Sequence, residues 1–130
     1  MAKYEIVTSG NFDQLLNSLH SGIISGSSSA SYESGSDFFI NEVRLATRVY
    51  ERYSWFGGNR VSMTVSILGY QNQLFVSVIT AGGSKALFFK VNTLGEEAFL
   101  HKAVQILQDY PCLYQGGAKL LDNFTPYIPQ

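Results

Sequence analysis

The chain has almost no cysteine, little charge, and no apolar run long enough to cross a bilayer. Cys112 is its one cysteine, so no internal disulfide staples the fold. It has no CxxC partner and reads as a small, half-buried hydrophobe rather than a nucleophile. Charged residues make up 15% and the net charge is −1, which excludes a general attraction for nucleic acid or acidic membranes. No apolar stretch approaches the ~20 residues of a membrane span. The first residues, Met1 to Ile6, carry no basic region ahead of an apolar run, so a secretory leader is not expected. Together these features predict a cytoplasmic protein that does not engage a membrane. No HExxH, GxSxG or paired catalytic carboxylates occur, so nothing predicts an enzyme, a cofactor or a metal. His20 and His101 fall on separate predicted helices, as boundary residues.

What the chain does have is hydrophobic patterning. At 130 residues with 45% hydrophobic content it can bury one core, and its 14% aromatics favour a sheet. Apolar residues alternate through Val43, Leu45, Thr47, Val49, Tyr53 and Trp55, then through Val61, Met63, Val65 and Ile67. The parity becomes even at Leu74, Val76 and Val78, and odd again at Leu87, Phe89 and Val91. Side chains on a strand alternate between faces, so this pattern predicts one antiparallel sheet with a continuous core face. Keeping Trp55 and Tyr53 on the face of Val61 and Met63 demands an odd loop, which Gly57-Gly58-Asn59 supplies. Even loops are expected at Gln71-Asn72 and Gly82-Gly83.

Ahead of these strands, Tyr4–Thr8 reads as a strand ended by Ser9-Gly10. Asn11 caps a helix with Phe12, Leu15, Leu16, Leu19 and Ile23 at helical spacing, and Gln14 completes a capping box. The serine-rich stretch from Ser25 feeds an edge strand, with a bulge at Gly35 that turns Tyr32, Phe38 and Ile40 toward the core. A second capping box, Thr93 with Glu96, opens a helix to Tyr110 that Pro111 stops. Its apolar stripe contains Leu100, Ala103, Val104 and Leu107. The order β-α-β-β-β-β-β-α predicts an α+β two-layer sandwich: a curved antiparallel sheet of about six strands with helices on one face. Residues 1–111 form the domain and 112–130 a tail carrying Leu120, Leu121, Phe124 and Ile128. The expected core is Ile6, Leu16, Leu19, Val49, Val65, Ile67, Val76, Val78, Phe89, Leu100, Val104 and Leu107.

Three groups of residues are candidates for function. The parity that buries Val49 sends Arg44, Arg48, Arg52 and Tyr50 to the outer face. There they form either a phosphate or single-stranded nucleic acid platform, or a ladder paired with Glu33 and Asp37. The same parity turns Glu51 toward the core, where a carboxylate is costly unless paired. With Tyr53 and His101 it defines a candidate ligand pocket between sheet and helices; a bulge that rotates Glu51 outward is the alternative. Finally, Leu68, Tyr70, Phe75, Ile79 and Phe88 make the outer face unusually apolar, which marks a surface with a partner.

The segments NFDQLL, SASYESGSDF, VRLATRVYERYSWFGGNRVS, VITAGGSKALFFK and NTLGEEAFL resemble a family of small, uncharacterised bacterial proteins carried as a domain of unknown function. The likeness runs from Met1 to about Tyr110 and implies a bacterial cytosolic protein, with no activity or site residue to transfer. The element order is similar to TATA-binding-protein-like and helix-grip folds. The function expected first is a non-catalytic binding or protein-interaction module that forms a homodimer through the outer sheet face or the tail. A small-ligand binder or enzyme near Glu51, and single-stranded nucleic acid binding through the arginines, are the alternatives.

Overall fold

The computed structural model describes residues 1–27, 29–53, 60–82 and 89–115; of these, the side chains at 89–97 and 114–115 are left aside. The elements are β1 (Ala2–Ser9), α1 (Phe12–Ser25), β2 (Ala30–Ile40), β3 (Val43–Tyr53), β4 (Arg60–Tyr70), β5 (Gln73–Gly82), α2 (Phe89–Leu107) and the two-residue β6 (Tyr114–Gln115). The fold is α+β: an antiparallel sheet of five long strands and the short β6, in the order β2-β3-β4-β5-β1-β6, with both helices on one face.

Local chemistry sets the helix starts and the turns. Asn11 is extended (φ −85°, ψ 126°) and its Oδ1 accepts from the Gln14 N–H at 2.9 Å, satisfying one donor at the open end of α1. Leu15, Leu19 and Ile23 then return on one face and are fully buried, each worth about 1.5–3 kcal/mol. Two-residue turns join β2 to β3 at Asn41-Glu42 and β4 to β5 at Gln71-Asn72. The first residue of each takes a positive φ, 52° at Asn41 and 55° at Gln71.

The core lies between the helices and Val61, Met63, Val65 and Ile67 of β4, Leu74, Val76 and Val78 of β5, and Ile6 of β1. These strands face as their alternation predicts. Phe99, Ala103 and Leu107 of α2 close the core at four-residue spacing. The helices approach closely at Gly22, where a Cβ would sit 2.1 Å from Ile106 Cδ1.

β3 departs from expectation. Tyr53 pairs with Arg60, so residues 54–59 lie between the strands, an even number where an odd one was expected. One residue of parity inverts every side chain of a strand. Ala46 and Tyr50 are the buried residues of β3, and Val49 lies on the opposite face. In β2 the register shifts between Tyr32 and Ser34, so the bulge is at Glu33 rather than Gly35. It leaves Tyr32 on the helix side, while Phe38 and Ile40 face outward, 61% and 71% exposed.

Three further differences concern the C-terminal half. Phe89 and Val91 belong to α2 rather than to a strand after Gly82, so Thr93 lies inside the helix. Leu100 and Val104 are half-buried, and Cys112 is exposed. The sheet also extends beyond Pro111: the Leu113 N–H donates to Val7 O at 2.8 Å and Tyr114 pairs with Val7. Trp55, Gly57-Gly58-Asn59, Leu87, Phe88, the Phe89 side chain and the tail residues Leu120, Leu121, Phe124 and Ile128 lie outside what is described. Among the described residues no helix is long and apolar enough to cross a membrane.

Candidate functional site

The register of the four long pairings defines rows of side chains across the sheet. On the face away from the helices, Phe38, Leu45, Leu68, Phe75 and Val7 stand opposite one another in a single row over five strands. Val7, beside β6, is buried, and the other four are open to solvent at least in part. A second row beside it begins Ile40, Val43, Tyr70. Moving away from the Asn41 and Gln71 turns, the next row is polar: Ser36, Thr47, Ser66, Ser77 and Glu5. Val49, Thr64 and Ile79 follow. The outer face therefore carries an apolar strip at one end, free of charge in its first row. Leu68, Tyr70, Phe75 and Ile79 all lie on this face as the sequence indicated, joined by Val43, Leu45, Phe38 and Ile40, which it had assigned to the core.

Inverting β3 moves the arginines to the helix side. Arg44 Nη1 donates to Asp13 Oδ1 at 2.7 Å, and its guanidinium carbon lies 4.1 Å and 5.1 Å from the ring centres of Phe12 and Phe39. Arg48 Nη2 pairs with Asp37 Oδ2 at 3.0 Å, and its Nη1 donates to the carbonyls of Ser36 and Thr47. Arg52 lies 5.2 Å from the Phe99 ring centre, and burial lowers its pKa. Asp37 thus pairs with the ladder as expected, whereas Glu33, at the bulge, accepts from Ser31. Acids and rings already surround these cations.

Tyr50 is 1% exposed, with its hydroxyl 2.9 Å from His20 Nδ1 and its ring among those of His20 and Tyr32. Burial pushes its phenol up to about 12, Arg48 pulling it back and Tyr32 adding to the rise. A tyrosine so held keeps its proton at neutral pH and braces α1 against β3. It presents no ring face on which a base could stack.

Glu51 and Tyr53 lie on the outer face, not in the interior. Glu51 accepts from Arg60 Nη1 at 3.1 Å and Tyr53 is 52% exposed. With Ser29, Ser31, Glu33 and Arg52 they border a half-open polar pocket of about 190 Å³ at the end of the sheet opposite the apolar strip. His101 is exposed on α2, across the sheet from it, so the three expected pocket residues do not converge. Among the described residues, no three His, Cys, Asp or Glu gather to hold a metal.

Sequence reasoning missed the settings of Arg44 and Tyr50 because it ranked the faces of β3 by hydrophobicity. A usable signal was present in the short turn at Asn41-Glu42. It places Tyr32, one bulge away, opposite Tyr50.

The profile of a family described as a family of unknown function, DUF6054, matches residues 1–111. The chain belongs to that family. The match ends within the chain just before Leu113–Gln115 close the sheet edge. No curated protein and no solved structure matches the chain.

Proposed function

We propose that this DUF6054 chain is a non-catalytic interaction module of the bacterial cytoplasm, which pairs its outer sheet face with that of a second copy. The observation that supports this reading is the row Phe38–Leu45–Leu68–Phe75–Val7, five apolar side chains in register across five strands. Antiparallel sheets open to water on one face usually alternate to polar residues there. The row's four solvent-open members, with Ile40, Val43 and Tyr70 beside them, carry on the order of a few hundred Å² of apolar surface, worth several kcal/mol at about 25 cal/mol per Å². Two such strips related by a twofold axis would stack as the sheets of a sandwich do, about 10 Å apart. The rows of serine and threonine would form the rim.

Light scattering at micromolar concentration tests this with the full chain, a chain ending at Gln115, and Leu68→Lys. Leu68 lies in mid-row on the face away from the core, so a lysine there leaves the fold intact, which a thermal melt verifies. The expected result is the same number of copies for the first two and half that number for Leu68→Lys. A dimer lost only on truncation would transfer the interface to the tail. A full chain that is monomeric at all concentrations, or a Leu68→Lys chain that assembles normally, would overturn the reading.

A further inference from the structure

β2 is a terminal strand of the sheet. From Ser31 to Ile40 every residue is exposed, and among the described residues no strand pairs with the edge away from β3. Unpaired edges recruit other strands, and proteins blunt them with lysine, proline, bulges or brevity. β2 has eleven residues, no lysine and no proline. Its single device is the bulge at Glu33, which disrupts only its N-terminal third. The carboxylate of Asp37 is withdrawn toward Arg44 and Arg48 on the helix side. The remaining segment, Ser34–Ile40, is in unbroken register with β3 and ends in Phe38, Phe39 and Ile40, which are 61%, 67% and 71% exposed.

From this we infer that β2 pairs antiparallel with β2 of a second copy, centred on Phe38, so that two sheets join edge to edge. Strand length selects this occupant. Among the described residues the strand at the other edge, β6, has two residues and is a poor match for β2, which favours pairing of like edges over head-to-tail joining. Charge narrows the register, and the exposed apolar residues at the strand's end favour a centre among them. β2 carries two acids and no cation, and pairings centred on Glu33, Gly35 or Asp37 set like charges against each other. A centre at Phe38 instead places Phe38 against its own copy, Ser36 opposite Ile40, and Asp37 opposite Phe39. Each pair shares a face, as an antiparallel ladder requires.

The exposed area contributes as well. Phe38, Phe39 and Ile40 together expose roughly 350 Å² per protomer, given the 150–250 Å² a large side chain offers, and side-by-side pairing covers their flanks. Backbone pairing and the flanking residues bring the joint toward the ~1,000 Å² that marks a specific contact. The twofold axis stands perpendicular to the sheet, so both apolar strips come to lie on one side, continuous through Phe38. The inference rests on the edge and stands whether or not the faces also pair.

Thiol crosslinking in a Cys112→Ser background tests the register. Phe38→Cys is expected to crosslink to itself through a short bifunctional thiol reagent. Ser36→Cys and Ile40→Cys, co-refolded, are expected to crosslink to each other. Ser36→Cys alone is not, because its two copies lie about 14 Å apart along the strands at 3.4 Å per residue. Crosslinks at Phe38 and between 36 and 40 only, with Leu68→Lys leaving the mass unchanged, would uphold the edge joint and remove the face-to-face reading. An assembly that dissociates in Leu68→Lys yet yields none of these crosslinks would overturn the edge joint and leave the face reading standing. Cysteine variants that yield no crosslinks, together with a wild-type chain that does not assemble, overturn both.

Discussion

The guanidinium carbon of Arg44 lies 4.1 Å from the centre of the Phe12 ring, while its Nη1 donates to Asp13, the next residue of α1. A strand cation therefore clamps the first turn of a helix through a ring face and a carboxylate. It takes the place that an aliphatic residue fills elsewhere under the helices. Among the described residues the arginine's buried Nε has no hydrogen-bond partner, so the ring and the carboxylate carry the compensation.

Replacing Arg44 with alanine is expected to cost about 1–2 kcal/mol, and Asp13→Ala much less, because that carboxylate is 68% exposed and screened. A double-mutant cycle with Phe12→Leu should return a coupling of about 0.5–1 kcal/mol by urea denaturation. Additive single-mutant losses would show that the ring contact contributes nothing.

Tyr50 should make the protein sensitive to alkali. Below its unperturbed pKa of 10.0 the phenol is protonated in both states. As pH rises toward about 12, the unfolded chain ionises while the folded chain keeps the proton, so stability is lost across that window. The loss attributable to this residue is on the order of 3 kcal/mol, because each pH unit separating the two ionisations is worth about 1.4 kcal/mol. Tyr50→Phe should start about 1 kcal/mol less stable at roughly pH 8, lacking the bond to His20, and fall less steeply between about pH 10 and 12. Parallel stability curves for the two proteins in that range would contradict the assignment.

Gln71 holds a φ of 55° in the β4–β5 turn, a region that costs a residue bearing a Cβ about 1–2 kcal/mol. Gln71→Gly should therefore raise the melting temperature, by about 1 kcal/mol in free energy once glycine's greater unfolded-state freedom is subtracted. Asparagine, which tolerates this region, should do nearly as well.

Gly69 lies under α1, where a Cβ would be 2.6 Å from Phe12 Cδ2. Gly69→Ala should destabilise the fold by about 1–3 kcal/mol through overpacking. That cost should shrink when Phe12 is truncated to alanine. An undiminished cost in the double variant would place the problem in the strand backbone instead.

Removing the cap with Asn11→Ala should cost about 1 kcal/mol, read from the urea midpoint, because the Gln14 N–H then loses its partner. An Asn11→Asp variant should retain most of the stability.

Much of the architecture was legible because it depends on local rules. The Asn11 cap, the buried spacing of Leu15, Leu19 and Ile23, and the two-residue turn at Gln71-Asn72 follow from neighbouring residues alone. So does the outward direction of Leu68 and Phe75, since Ile67 and Leu74 beside them are buried. Glu51 and Arg48 were misplaced for a different reason. Alternation separates a strand's two faces without saying which one the helices cover, and on β3 the uncovered face is the more apolar. Val43, Leu45 and Val49 therefore imitated a core, while Arg44 and Arg48 lie on the helix side, neutralised by Asp13 and Asp37.

By itself the sequence determined an α+β chain of antiparallel strands, the Asn11 cap of α1, the two-residue turns, and the apolar stripes of α1, β4 and β5, because those depend on backbone sterics and on residues a few positions apart. Tertiary structure alone decided that Tyr53 stands opposite Arg60, and hence that Tyr50 is buried and Glu51 is not. It also decided that five apolar residues from five strands fall in one outer row, and that β2 is the terminal strand of the sheet. Register and strand order are set by the free energy of packing the whole sheet against its helices, and no single segment carries that information.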